Sequence, residues 1–201
     1  IRPLSYSTKD LWSVRDIVPA IADSDLEPYH VSIIDPMHLA FVKATRHEGL
    51  DPQGLLNFAF DGPKDEVNAS EKELDRIMEE HGAKKLPETD ARAQWDGRFD
   101  LYPARRLSGG LVVAESLVPT GRFPDVLRSV GNLIKRLKMQ VAVNSFLVDR
   151  NTVAVNPYLL MDEQHPLGPT SLSFVKKFDD AVLRLGGHPQ GLGLFHAFNF
   201  D

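Results

Sequence analysis

Apolar positions along this chain recur with two spacings, one of two residues and one of three to four, and the changes from one to the other mark its elements. Tyr29, Val31 and Ile33 alternate with His30 and Ser32 as a strand does, and Asp35-Pro36 then supplies an N-cap and a first-turn proline for a helix through about Arg46. Residues 55–60 make a second strand, closed by Asp61-Gly62-Pro63. After it Val67, Leu74, Ile77 and Met78 form a helical stripe that stops at Gly82. Upstream, Ser7 or Thr8 is expected to cap a short helix carrying Leu11, Trp12, Ile17 and Val18, bent or ended by Pro19.

Residues 84–107 break the rhythm. They are irregular and charged, with Trp95 and Phe99 as the main large apolar anchors, and are expected to form a crossover; Glu79-Glu80 to Lys84-Lys85 is expected to be a solvated helix end. A strand over 111–118 follows, and Thr120 is expected to cap a helix in which Phe123, Leu127, Val130, Ile134 and Leu137 keep helical spacing. Strands at 141–148 and 152–160 join across Asp149-Arg150-Asn151, residue types suited to a tight hairpin. A helix with Phe174, Phe178, Val182 and Leu185 ends at Gly186-Gly187, and 192–198 form a last strand. The expectation is an α+β fold of two successive units, residues 1–90 and 91–201, each an antiparallel sheet covered by helices and together one domain.

Composition narrows the function classes. The 201 residues are 42% hydrophobic, and 23 basic residues are interspersed with 28 acidic ones for a net charge of -5, which leaves no basic footprint for nucleic acid. The longest apolar runs fall far below the ~18 residues of a membrane span. Without cysteine there is no disulfide, thiolate metal site or thiol nucleophile, and a cytoplasmic location is expected. Nucleophile-elbow and phosphate-loop motifs are absent, and Gly191-Leu-Gly193 is too short for a dinucleotide loop. His30, His38 and His47 lie eight and nine residues apart, which matches no compact ligand spacing, so no metal is expected. With Ile1 at its start, the chain is expected to be processed or cut from something longer.

Four stretches in order resemble the C-terminal domain of the FAD-linked oxidases related to glycolate oxidase, D-lactate dehydrogenase and vanillyl-alcohol oxidase. They are Ser32-Ile-Ile-Asp35 with the elements through Gly82, Trp95-Asp-Gly-Arg98 as the family's Trp-x-x-Arg, Val112-Val-Ala-Glu-Ser-Leu-Val-Pro119 with its long helix, and Gly186-Gly187 ahead of a glycine-rich segment. The resemblance implies a duplicated ferredoxin-like fold. It also implies a cap over FAD, which a missing N-terminal domain, in cis or trans, would mainly bind, and oxidation of a small hydroxy acid or alcohol by hydride transfer to FAD. Expressed alone, the chain is expected to be colourless and inactive. The 2-hydroxy-acid branch carries two histidines on the hairpin strand where this chain has Phe146-Leu-Val-Asp-Arg-Asn-Thr-Val153, which removes that branch's metal site. The apolar strand suits the vanillyl-alcohol branch instead. The other function class is a catalytically silent accessory or regulatory module that keeps the fold.

By that resemblance Arg98 binds the substrate carboxylate, as a guanidinium fork suits; the alternative is an ion pair with Asp96 or Asp100. Asn144 and Phe146 would line the substrate side of the flavin, against the alternative of a strand amide bonded to backbone. His188 is the candidate for proton transfer, against an exposed loop histidine. Asp149 and Asn151 match polar positions of the family hairpin but suit a turn.

Overall fold

The computed structural model describes residues 1–9, 11–46, 49–51, 53–99, 102–107, 110–161 and 168–190. Its elements are β1 (Arg2–Thr8), α1 (Ile17–Asp23), β2 (His30–Ile34), α2 (Pro36–Arg46), β3 (Gly54–Phe60), α3 (Lys64–Glu80), β4 (Lys84–Lys85), α4 (Glu88–Gly97), β5 (Gly110–Val113), β6 (Glu115–Pro119), α5 (Phe123–Leu137), β7 (Val141–Asp149), β8 (Thr152–Met161), α6 (Gly168–Arg184) and β9 (His188–Gln190). Among the described residues the strands form one nine-stranded sheet in the order β4-β1-β3-β2-β7-β8-β6-β9, with β5 also beside β8. Every pairing is antiparallel.

Within that sheet β1 to β4 lie in the order 4-1-3-2, and β6 to β9 repeat the order in reverse, so each half has the strand order of a ferredoxin-like β-α-β-β-α-β unit, with α2 added between β2 and β3 in the first. The halves meet where β2 pairs β7, through Ser32 with Phe146, Ile33 with Ser145 and Ile34 with Asn144. The sheet is therefore continuous across the expected boundary between the units. Residue 90 falls inside α4, which packs on β1 and β3 of the first half.

Strand alternation divides the side chains between two faces. One set, including Leu4, Val31, Ile33, Phe58, Val143 and Val155, joins the apolar stripes of α1, α3, α5 and α6 in a single core running through both halves. The opposite set, at Ser5, Ser32, Asn57, Asn144 and Tyr158, lies beneath α2 and α4. We refer to these as the inner and outer faces.

Local chemistry explains most boundaries. Asp35 Oδ1 accepts the His38 N–H at 2.8 Å and Pro36 opens α2, the expected cap. The turn between β7 and β8 is closed by the Asn151 N–H on Asp149 Oδ1 at 2.7 Å, which is the turn alternative for those two residues. β5 and β6 run in one register against β8, broken at Ala114, whose N–H bonds the Pro157 carbonyl at 2.9 Å; Pro157 has no N–H to return. At Gly187 a Cβ would meet the Leu117 carbonyl oxygen at 2.7 Å, so α6 hands over to β9 in a space only glycine fits.

Four expectations are corrected. Ser7 and Thr8 cap no helix: they end β1, a strand whose apolar positions are Leu4 and Tyr6. Pro19 sits in the first turn of α1, where its missing N–H costs nothing. Residues 84–107 hold β4, α4 and a short 3-10 turn, and Lys84 and Lys85 pair with β1 instead of ending α3. Thr120 makes no capping hydrogen bond; a 3-10 turn at Thr120–Arg122 leads into α5. The strand expected at 192–198 lies outside the described residues, and the short β9 precedes it.

Candidate functional site

Where β2 meets β7, the outer face carries a small pocket of about 60 Å³, floored by Ser32, Asn57, Asn144 and Phe146, with His38 and Arg46 from α2 and Gln94 and Arg98 from the α4 end at its rim. Three of the expected site residues, Arg98, Asn144 and Phe146, thus come together from two distant segments. His188 does not join them. It is exposed on β9, where it pairs with Leu117, and β6 and β8 separate it from β7. At about 4.8 Å per strand this is on the order of 14 Å.

Arg98 sits just beyond the last turn of α4. Its backbone N–H and its Nη1 both bond the Trp95 carbonyl oxygen, at 3.3 Å and 2.6 Å, so the side chain folds back over the negative end of the helix. The guanidinium carbon lies 3.7 Å from the centre of the Trp95 ring and 4.1 Å from that of Phe99. Two aromatic faces therefore hold the fork flat. The alternative ion pair with Asp96 is not formed, and Asp100 lies outside the described residues.

The Trp95 ring meets His30 edge-on at 5.9 Å, and His30 reaches Phe146 at 6.0 Å, which completes a row Arg98–Trp95–His30–Phe146. Burial, reinforced by the Arg98 charge, lowers the His30 pKa and keeps the ring neutral. His30 Nε2 is buried without a hydrogen-bond partner among the described residues. The same holds for Asn144 Oδ1, and Asn144 is 3% exposed. The expected alternative of an amide bonded to backbone is thus not what the strand provides. Buried polar atoms are nearly always paired, so Asn144 Oδ1 on the pocket floor is an acceptor open to a water or to a ligand's donor.

Sequence reasoning missed the rest of the pocket. Ser5 Oγ donates to Asn57 Oδ1 at 2.7 Å, and Asn57 Nδ2 donates to Ser32 Oγ at 3.2 Å, a polar line across three strands. Tyr158 Oη and His38 Nδ1 are 2.8 Å apart behind it. Ser5, Ser32, Asn57 and Asn144 all interrupt apolar strands at positions of one parity, a signal that shows only when the strands are aligned. Among the described residues no group of three or more His, Asp or Glu is placed to hold a metal, and no helix is long and apolar enough to cross a membrane.

Comparison with known proteins adds the family. The backbone is similar to that of an alkyldihydroxyacetonephosphate synthase, with a TM-score of 0.68 at 15% identity over 98% of this chain and 42% of that one. It is likewise similar to a p-cresol methylhydroxylase with substrate bound, with a TM-score of 0.68 at 12% identity over 92% of this chain and 44% of the other. At such identity these likenesses speak for the fold, and the chain spans less than half the length of either protein. No curated protein matches the sequence. The model of the FAD linked oxidases, C-terminal domain, matches residues 2–191, nearly the whole chain, and the protein belongs to that family.

Proposed function

We propose that this chain is the substrate-binding cap of an FAD-dependent oxidoreductase that oxidises a small hydroxy acid or alcohol at its CH–OH carbon. The observation that carries the proposal is the convergence of Arg98, Asn144 and Phe146 on one pocket at the β2–β7 seam. This pocket, of about 60 Å³, takes a small polar group, and FAD is assigned mainly to a flavin-binding domain, in cis or in trans. When bound, FAD supplies the two-electron acceptor for the hydride.

Arg98 fixes the substrate's anionic group. One of its five N–H bonds is used on the Trp95 carbonyl, which leaves the fork's other donors for two parallel charge-assisted bonds to a carboxylate. Phe146 gives the substrate carbon an apolar wall that excludes water, and the neutral His30 behind it adds no charge to compete with Arg98 for the anion. His188 is left out of the proposed site because of its distance along the sheet.

The test is Arg98→Ala and Arg98→Lys in the flavin-loaded enzyme. kcat/KM is expected to fall about a hundredfold with Ala and less with Lys, which keeps the charge but loses the fork. Unchanged KM and kcat would remove Arg98 from the site. The chain by itself is expected to be colourless, and flavin absorbance in it would overturn the assignment of FAD mainly to another domain.

A further inference from the structure

Hydrogen-bond direction in the pocket is fixed by chemistry. An amide oxygen only accepts, so Ser5 must donate to Asn57 Oδ1; an amide nitrogen only donates, so Ser32 Oγ must accept from Asn57 Nδ2. The hydroxyl hydrogen of Ser32 is therefore still to be given, and among the described residues no acceptor takes it. Ser32 is 5% exposed and lines the pocket. On the adjacent strand Asn144 Oδ1 is a buried acceptor with no donor.

The register sets their separation. Ser32 lies opposite Phe146 and Ile34 opposite Asn144, so Ser32 and Asn144 are diagonal neighbours on the outer face. Diagonal residues stand roughly 7–8 Å apart, and since Asn144 Oδ1 has no hydrogen-bond partner the two side chains are not bonded to each other, which leaves room for a single group between them. That group has to accept from Ser32 and donate to Asn144. A ligand hydroxyl does both, in the place a water takes when no ligand is bound, whereas a carbonyl, an ether or a second carboxylate only accepts and an ammonium only donates.

We infer that Ser32 and Asn144, oriented through the Ser5–Asn57 line, form a subsite for a ligand hydroxyl beside the anion held by Arg98. The inference rests on the function proposed above and adds residues that determine specificity. It makes the site selective for the reduced substrate: a carbonyl product cannot donate to Asn144 Oδ1 and leaves it unpaired, so product binds more weakly than substrate.

The test uses the flavin-loaded enzyme and two carboxylates that cannot be oxidised at the carbinol carbon. 2-Hydroxyisobutyrate has a tertiary hydroxyl with no hydrogen to transfer, and isobutyrate lacks the hydroxyl. Calorimetry on the wild type is expected to give about tenfold tighter binding of the hydroxy acid, the worth of one well-made hydrogen bond. Asn144→Leu and, as a smaller change, Ser32→Ala are expected to bring the two acids within about twofold of each other, whereas Arg98→Ala weakens both alike. In the wild type, independent of any variant, the Asn144 side-chain amide resonances are expected to shift with 2-hydroxyisobutyrate and not with isobutyrate. A preference that survives in Asn144→Leu and Ser32→Ala, or equal binding by the wild type, overturns the subsite and leaves the Arg98 assignment standing. If Arg98→Ala binds both acids as the wild type does, the underlying function fails instead, and if the wild type binds neither acid, both fail.

Discussion

Seen from its inner face, the sheet is a mainly apolar surface under four helices, interrupted at Ser116 and Ser145; from its outer face, the same strands show Ser5, Ser32, Asn57 and Asn144 under two. Neighbouring residues such as Asn57 and Phe58 belong to different surfaces although they share a strand. Burial of apolar area supplies the folding free energy on the inner side, whereas buried polar atoms on the outer side cost free energy wherever they lack a partner. The orphaned Asn144 Oδ1 and His30 Nε2 are thus kept at a cost that the inner face offsets. The inner face holds most of the apolar core, and the outer face carries the polar pocket. α2, inserted between β2 and β3, has no counterpart in the second half, where a tight hairpin joins β7 to β8, so the two halves share one topology but divide the binding pocket unequally.

The sharpest break of this division is Phe58→Ala. Phe58 is 1% exposed on the inner face, edge-on to Tyr6 at 6.0 Å, and its truncation is expected to destabilise the chain by about 3–5 kcal/mol in chemical denaturation. Ligand affinity of the molecules that remain folded should not change. A loss below about 1 kcal/mol, or a large loss of affinity without one of stability, would mean that the two faces are not separable.

Asp35 stands where the chain passes from the sheet to α2. Burial drives its carboxyl up to about 7 from 3.8, against the pull of backbone N–H groups of His38, Val143 and Met37. The folded state therefore keeps a proton that the unfolded chain has already released. Stability from this group is full below about pH 4 and is lost as pH rises to about 7, by on the order of 4 kcal/mol. Asn also caps helices, so Asp35→Asn is expected to keep α2 and to flatten the pH dependence of the denaturation midpoint between pH 4 and 7. An equally steep dependence in the variant would assign it to other groups.

Much of the fold was legible because each half repeats simple signals: the Asp35-Pro36 cap, the stripe from Leu74 to Met78, the Asp149–Asn151 turn and the spacing of Phe174 and Phe178 all fall where the sequence placed them. β1 was missed because Ser7 and Thr8 resemble capping residues, and their partners on β3 lie about fifty residues away. α4 was missed because its single buried residue, Ala91, leaves no apolar stripe to count. In the site, the Trp-x-x-Arg pattern pointed to Arg98 but not to its support. Ser32 and Asn57 carried no local signal, since their significance depends on strand pairing and on a hydrogen-bond line across three strands.

The smallest expected effect tests how the outer face holds its cation. In Trp95-Asp-Gly-Arg98 the tryptophan offers two separate things, a carbonyl that bonds Nη1 and a ring that lies 3.7 Å beneath the guanidinium carbon. Trp95→Leu removes the ring and leaves the carbonyl, so it isolates the stacking contribution, about 1 kcal/mol for a partly exposed pair. KM is expected to rise about fivefold with kcat little changed, as for a residue that positions Arg98 without touching the reacting atoms. Trp95→Phe restores most of the affinity, because a phenyl face still covers the fork, and stability moves little because Trp95 is only half-buried. If Leu and Phe behave alike, the ring does not position Arg98, and the carbonyl alone sets the arginine's place.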